Sequence, residues 1–189
     1  MLFMRGVALI ILLVCLVVFA ACSRHVDESE KINLVPQQTQ KEVDTMNIIS
    51  PEFENNKPIP AEFTCDDADI SPPLYILSVP KNAQSLALIM DDPDAPMGTF
   101  VHWVVWNIPP NTTEIKKGEA IPWPQGRTDF GKRGYGGPCP PGGTHRYFFK
   151  LYAIDTKLSL PPGSTKRDVL KAIEGHIIAE AQLIGTYTR

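Results

Sequence analysis

The feature that most restricts the fold of this chain is a series of short β-forming runs separated by proline- and glycine-rich segments. Most of the 18 prolines and 13 glycines lie between residues 48 and 189. The runs are "PLYILSVP", "SLALIMD", "FVHWVVWNI", "HRYFFKLYAID" and "IIAEAQLIGTYT". Proline and glycine favour turns and interrupt strands, and runs of this length are typical of strands. The pattern predicts a single domain over residues 48–189, built as a mainly antiparallel β-sandwich.

Alternation within two of these runs predicts which side chains share a face of the sheet. The first set is Phe100, His102, Val104 and Trp106. The second set is His145, Tyr147, Phe149 and Leu151. The opposite faces are also mostly apolar, which is typical of a sheet covered on both sides.

One short helix is predicted near the C-terminus, in the segment "STKRDVLKAIEG". Thr165 and Asp168 have the spacing of a capping box, and Gly175 is a residue that commonly ends a helix. The predicted fold class is therefore all-β with a short C-terminal helix.

The N-terminus has the pattern of a lipoprotein signal peptide over residues 1–21. A single charge, Arg5, precedes the uncharged run "GVALIILLVCLVVFAAC", which is short for a transmembrane helix. The small pair Ala20–Ala21 before Cys22 is similar to the site that lipoprotein signal peptidase cleaves, so Cys22 is the predicted lipidation site. The alternative is an uncleaved anchor helix. Either way the chain is expected at a cell membrane, facing the extracytoplasmic side.

Residues 22–47 are predicted to form a flexible tether, because they are polar and contain no aromatic side chain. Removal of residues 1–21 takes away only Arg5 and changes the formal net charge from −3 to −4. This mild acidity and the lack of a basic run give no indication of a nucleic-acid partner.

Two loops carry the candidate binding chemistry, and each lies next to a histidine. The turn "DDPDAP" at residues 91–96 precedes the strand that contains His102, and a glycine- and proline-rich stretch at 131–149 leads into the strand that begins with His145. If these strands are neighbours, both histidines meet in one pocket beside the aspartates and Tyr135. A loop rich in glycine can bring its N–H groups close to a ligand. Buried, hydrogen-bonded core histidines are the simpler alternative.

Four motifs in this order resemble the phosphatidylethanolamine-binding protein family, in particular its bacterial and archaeal Raf kinase inhibitor-like branch. They are "DDPDAP", "FVHWVVWNIP", "GYGGPCPPGGTHRYFFKLYA" and "AIEGHIIAEAQLIGTY", and "FTCDDADISPPL" fits that branch as well. The resemblance covers residues 48–189. It implies an antiparallel β-sandwich with a small pocket that accepts phosphate, acetate or a phosphoethanolamine head group. We expect no cofactor, no metal and no enzymatic activity. The implied ligand-binding residues are Asp92, Asp94, Pro96, His102, Tyr135, Gly137 and His145.

The expected chemistry follows from these residue types. Histidine N–H groups bind phosphate oxygens, and carboxylates orient the imidazoles. We expect Asp92 and Asp94 to face both histidines and to raise their pKa values. Arg146 alternates to the face opposite His145, which predicts a structural ion pair.

Three other functions compete with anion binding. A metal site could use both histidines with Asp92 and Asp94, although no H-x-x-H type pair supports it. A hydrolase could use Cys139 as nucleophile and His145 as base. Inhibition or modulation of a protease or signalling enzyme also occurs in the family, and no residue pattern here identifies a protein target.

Cys65 and Cys139 are the two cysteines left after the signal peptide and the lipidation site are set aside. In an oxidising compartment an even pair is compatible with a disulfide, here between the "FTCDD" loop and the glycine-rich loop. Two independent thiols are the alternative, because the sequence does not supply the distance between the two Cα atoms.

Overall fold

A computed structural model describes residues 45–189 of the chain. The predicted signal peptide, the lipidation of Cys22 and the tether up to residue 44 lie outside the described residues. Met46 is buried in the core and the first strand starts at Asn47. The folded domain therefore includes the last residues of the segment predicted as tether.

The described residues form eight strands, a single turn of 3₁₀-helix at Ala61–Phe63 and one α-helix, α1, at Lys166–Ile173. The strands are β1 (Asn47–Ile49), β2 (Lys57–Pro58), β3 (Leu74–Leu77), β4 (Ser85–Asp92), β5 (Phe100–Ile108), β6 (Glu114–Ile115), β7 (Thr144–Ile154) and β8 (Ile177–Thr188). Each of the five β-forming runs of the sequence contains one strand. The predicted all-β fold with a short C-terminal helix is confirmed.

The strands form two sheets. One has three strands in the order β1-β3-β6, and the other has five in the order β2-β8-β7-β4-β5. Every pairing between these strands is antiparallel except the short parallel contact of β2 with β8. Strands β7 and β4 are neighbours inside the five-stranded sheet, although about 50 residues separate them in the sequence. Their pairing brings residues from distant parts of the chain next to each other.

Strands β4 and β5 of the five-stranded sheet are buried on both faces, as their apolar runs predicted, whereas β7 has one buried and one partly exposed face and β8 is mostly half-buried or exposed. The core between the two sheets includes Ile48, Leu74, Ile76, Leu88, Met90, Trp103, Val105, Tyr147, Phe149 and Leu151. The opposite face packs against α1 and includes Ala87, Ile89, Val104, Trp106, Ile154, Val169 and Ile173.

The N-terminus of α1 has the predicted capping box. The Thr165 hydroxyl accepts a hydrogen bond from the amide of Asp168, and the Asp168 carboxylate accepts one from the amide of Thr165. These two bonds satisfy amides that the first helical turn leaves without partners.

An extra residue interrupts the alternation of β5 where it pairs with β4. Trp103 lies opposite Met90, whereas Val101 lies opposite the next residue, Asp91. His102 is therefore the additional residue of a β-bulge. Bulges change the direction in which a side chain points, and they are frequent beside functional sites.

The bulge overturns one prediction about the faces of β5. Val104 and Trp106 lie in the cluster under α1. His102 instead contacts the ring of Tyr147 on the inter-sheet side, with 5.2 Å between ring centroids, and Phe100 packs on His102 at 5.2 Å. The prediction that all four side chains share a face is wrong, because the added residue shifts the alternation by one. The predicted second set, from His145 to Leu151 on β7, is buried as expected.

Within residues 45–189, the structure contains no helix that is both long and apolar enough to cross a membrane.

Candidate ligand-binding site

A cavity of about 300 Å³ lies at the end of the five-stranded sheet where β4 ends and β5 and β7 begin. Its lining residues are Asp92, Ala95, Pro96, Met97, Phe100, His102, Phe130, Cys139, Pro140, Pro141 and His145. Most of these side chains are apolar, so the ionisable groups of one aspartate and two histidines are concentrated in a largely hydrophobic space. Such a combination is typical of small-molecule sites.

His145 and Asp92, which both line the cavity, are joined by a short hydrogen bond. The Nδ1 atom of His145 lies 2.7 Å from Oδ2 of Asp92, and the two side chains are 8% and 4% exposed. A carboxylate only accepts hydrogen bonds, so Nδ1 carries the proton. The other carboxylate oxygen of Asp92 accepts from the amide of Asp94 at 2.8 Å. Asp92 therefore holds the imidazole of His145 in one orientation.

His102 is held by a different kind of partner. Its Nδ1 atom lies 2.8 Å from the carbonyl oxygen of Gly136, not from a carboxylate. Burial lowers the pKa of His102, and the smaller opposing effects of the Gly136 carbonyl and the Asp92 charge do not reverse this. The prediction that neighbouring carboxylates raise the pKa of His102 is wrong, because the cost of placing a charge in this buried site is larger.

The two histidines meet in the cavity, but their strands are not neighbours. Strand β4 lies between β5 and β7, and it contributes Asp92 between His102 and His145. The predicted convergence therefore depends on three strands and on the bulge at His102.

Asp94 does not face the histidines as predicted. Its carboxylate forms a two-pronged ion pair with the guanidinium of Arg146, at 2.7 and 2.8 Å, and also accepts from the Arg146 amide at 3.0 Å. The hydrogen bond to the Arg146 side chain lowers the pKa of Asp94 to about 2. Arg146 is the structural ion-pair partner that its alternation indicated, and Asp94 is a structural residue with it.

Tyr135 and Gly137 lie outside the cavity and support its wall. The Tyr135 hydroxyl donates to the carbonyl of Phe63 at 2.7 Å, and burial raises its pKa well above the usual range. The Gly137 amide donates to Asp69 at 2.6 Å, so it is not free for a ligand. A Cβ at position 137 would collide with the Phe63 carbonyl, which explains the glycine. Of the predicted set, the cavity brings together Asp92, Pro96, His102 and His145.

Cys65 and Cys139 form a disulfide, with an S–S distance of 2.09 Å and 5.4 Å between Cα atoms. The amide of Cys65 also donates to the carbonyl of Pro138 at 3.1 Å. The bond attaches the cavity wall at Cys139 to the loop after the 3₁₀-helix. In this state Cys139 has no free thiol.

Sequence reasoning missed the apolar rim of the cavity. Phe130 and Phe100 pack edge to face with centroids 4.9 Å apart, and Met97 is fully exposed. Phe130 also contacts His102 at 5.2 Å. One sequence signal could have indicated this rim, namely a phenylalanine, Phe130, inside the otherwise polar loop "TDFGKRG". In the structure its ring packs so closely on Gly136 that a Cβ there would collide with it.

The predicted metal ligands do not form a set. Within residues 45–189 there is no group of three or more His, Cys, Asp or Glu side chains that could hold an ion. The physical reason is that Asp94 is bound to Arg146, and the Asp92 carboxylate is bound to the Nδ1 atom of His145.

Comparison with known proteins agrees with this arrangement. The family model described as phosphatidylethanolamine-binding protein matches residues 49–188. The UPF0098 protein of Methanothermobacter thermautotrophicus is 52% identical over 150 residues, which cover 76% of this chain and 99% of that protein. The UPF0098 protein of Pyrococcus horikoshii is also 52% identical, over 151 residues that cover 75% of this chain and 76% of that protein.

Two solved structures share the fold. The crystal structure of a putative phosphatidylethanolamine-binding protein homologue from Chlamydia trachomatis has a TM-score of 0.75 and 42% identity, covering 77% of this chain and 99% of that chain. YbcL of E. coli, described as a new member of the mammalian family, has a TM-score of 0.71 and 30% identity, covering 76% of this chain and 98% of that chain. The sequence motifs, the fold and these matches agree, and the chain belongs to the phosphatidylethanolamine-binding protein family.

Proposed function

We propose that this protein is an extracytoplasmic lipoprotein that binds a small anionic ligand or phospholipid head group, of the phosphate or phosphoethanolamine type, and does not catalyse a reaction. The observation that carries the proposal is the orientation of the two imidazoles. His102 and His145 both use Nδ1 for an internal hydrogen bond, and neither Nε2 atom has a hydrogen-bond partner among residues 45–189. Both Nε2 atoms are therefore available to a ligand.

The size and lining of the cavity favour a ligand of head-group dimensions. About 300 Å³ is at the lower end of the range for small-molecule sites, roughly 300–1,000 Å³. A phosphoryl group would have polar contacts with the histidines, while Phe130, Pro140 and Pro141 would exclude water around it. Hydrogen bonds to an anion are stronger in such an apolar environment than in water.

The cavity lining contains few of the side chains that serve as nucleophiles in covalent catalysis. Among the lining residues within 45–189 there is no serine, threonine or lysine, and Cys139 is bonded to Cys65. Covalent catalysis requires a nucleophile within hydrogen-bond reach of a base.

The extracytoplasmic location is inferred from the N-terminal pattern and is supported by the disulfide, since such bonds persist in oxidising compartments. If Cys22 carries the lipid, Cys22→Ser should release the protein from the membrane fraction or leave an uncleaved precursor, because stable anchoring needs several acyl chains. Unchanged processing and unchanged acyl labelling of the variant would contradict the anchor.

Calorimetric titration of phosphate and phosphoethanolamine tests the site. His145→Ala removes a hydrogen-bonding group from the cavity, and we expect it to weaken binding by roughly 1.5–3 kcal/mol. That loss corresponds to a dissociation constant about 10- to 150-fold higher.

His176→Ala is the matched control. His176 has the same kind of partner, with Nδ1 2.8 Å from Oδ1 of Asp155, but both side chains are about half exposed and lie outside the cavity. We expect its affinity to equal that of the unmodified protein. If His145→Ala also binds with unchanged affinity, the ligand does not use this cavity.

A further inference from the structure

The two histidines of the cavity are not chemically equivalent. The Nδ1 atom of His102 faces a carbonyl oxygen, which has no proton to give, so this nitrogen carries the proton of the neutral ring. Its Nε2 atom is then a bare acceptor in the cavity. His145 has a carboxylate on Nδ1, and a second proton on its Nε2 atom would complete an ion pair with Asp92.

The surroundings of His102 oppose a second proton on its ring. Three aromatic rings, those of Phe100, Phe130 and Tyr147, lie with centroids 5.2 Å from the His102 ring. Burial among them lowers the pKa of His102. The neutral, acceptor form of His102 therefore persists to lower pH than in an exposed histidine.

The charged and titratable groups on each packed element agree with this assignment. Strand β4 contributes Asp92, which is bonded to His145, and Asp91, which is bonded to two lysines on the opposite face. Strand β7 contributes His145 and the buried hydroxyl of Tyr147, whose pKa burial raises. The glycine-rich loop contributes the Gly136 carbonyl, and the segment before it contributes the uncharged ring of Phe130 and the carboxylate of Asp129, which accepts from the amide of Val101.

We propose that the cavity selects an oxyanion that carries one proton of its own, the class represented by the monoanion of a phosphate monoester, over a phosphodiester. The anionic oxygen accepts a hydrogen bond from Nε2–H of His145, and the P–OH group donates to the bare Nε2 of His102. A fully deprotonated or diester phosphate places an oxygen lone pair against the lone pair of His102. This selectivity rests on the proposed function and specifies its ligand class.

Two sources of the same head group differ in whether the phosphate carries a proton of its own. Free phosphoethanolamine is a phosphate monoester. By analogy with phosphorylated side chains, its second phosphate proton dissociates at about pH 6. The same group within a phospholipid is a diester and has no second proton. The free monoester is therefore the favoured ligand, most strongly below about pH 6.

The decisive experiment is calorimetric titration of the folded protein with phosphoethanolamine and with glycerophosphoethanolamine, its diester counterpart, at about pH 5.5 and about pH 8, on either side of that phosphate pKa. At the lower pH we expect the monoester to bind at least about tenfold more tightly, since the diester lacks one hydrogen bond to a desolvated acceptor. The difference should shrink at the higher pH.

Equal or tighter binding of the diester at the lower pH would overturn the selectivity and leave the proposed anion site intact. If neither compound binds, the proposed function fails, and the selectivity fails with it. The two ideas are thus distinguishable.

A spectroscopic measurement on the unmodified protein provides an independent check. Near pH 7, the ³¹P shift of bound phosphoethanolamine should be that of the monoanion, and the ¹⁵N shift of Nε2 in His102 should be that of an unprotonated nitrogen accepting a hydrogen bond. A dianion shift in the complex, or a doubly protonated His102 ring, would overturn the proposal.

Discussion

Asp91 and Asp92 are adjacent in sequence, lie on opposite faces of β4 and pair with different kinds of side chain. Asp91 is fully buried and is bonded to the ammonium groups of Lys150, at 2.9 Å, and Lys166. Asp92 is almost as buried but is bonded to the imidazole of His145. The Asp91 carboxylate is paired with two ammonium groups. The Asp92 carboxylate is paired with one imidazole, whose other nitrogen, Nε2, is not used in that contact.

The difference distinguishes a charge that holds the fold together from one that orients a histidine of the cavity, which is the role that the proposed function requires. Lys166 is the first residue of α1, so its contact with Asp91 fastens the helix to the sheet, and no part of that cluster lines the cavity. Asp92 orients His145, whose Nε2 atom is available to a ligand. Burial and charge are similar at the two aspartates, and only the partner decides their roles.

The largest expected effect concerns the covalent attachment of the cavity wall. Cys65→Ser combined with Cys139→Ser removes a bond that joins residues 74 positions apart. The loop-entropy relation predicts a loss of about 4.5 kcal/mol in the free energy of unfolding. Urea denaturation measures this change. The variant should still fold, because Tyr135 and Gly137 keep the same two loops hydrogen-bonded. A loss below about 1 kcal/mol would show that the bond adds little to the constraint on the chain.

The next effect separates the two aspartates directly. Asp91→Asn leaves two partly buried ammonium groups without their counter-ion, and we expect the free energy of unfolding to fall by about 3 kcal/mol. Phosphoethanolamine affinity should not change. Denaturation and calorimetry of the same samples measure both quantities.

Asp92→Asn is the matched change on the other face. The amide oxygen can still accept from His145, but it does not balance the charge of a protonated imidazole, so ligand affinity should fall. If Asp91→Asn weakens binding as much as Asp92→Asn, the two faces are coupled and the distinction between them fails.

The smallest effect concerns the third carboxylate of the turn. Asp94 has its pKa lowered to about 2 by Arg146, from an ordinary value of 3.8. The stability from this pair is therefore fully present above pH 3.8 and is lost as the pH falls towards 2. We expect Asp94→Asn to reduce the fall in melting temperature across that window and to leave ligand affinity unchanged. The pair is exposed to solvent, so the effect is small. A changed ligand affinity of this variant would show that Asp94 does contribute to ligand binding.

Much of the fold could be predicted from the sequence because its determinants are local. Proline and glycine mark the ends of the strands, alternation on β7 predicted the buried row from His145 to Leu151, and Thr165 with Asp168 predicted the start of α1. The motifs also indicated the family and four of the residues that line the cavity.

Only the tertiary structure decided which polar groups line the cavity and which form ion pairs elsewhere. Along β5 the alternation of side chains between the two faces is interrupted at His102, the additional residue of the β-bulge. The bulge exists only in the pairing of β5 with β4. The partners of the three aspartates are 52 to 75 residues away in the chain, since Arg146, His145 and Lys166 reach them only after β7 and α1 have packed on β4. The sequence by itself determined which residues form strands and loops, because turn preference and periodicity act over a few residues. Tertiary packing determined which carboxylate orients the imidazole of His145 in the cavity, because ion pairs form between groups that only the folded sheet brings together.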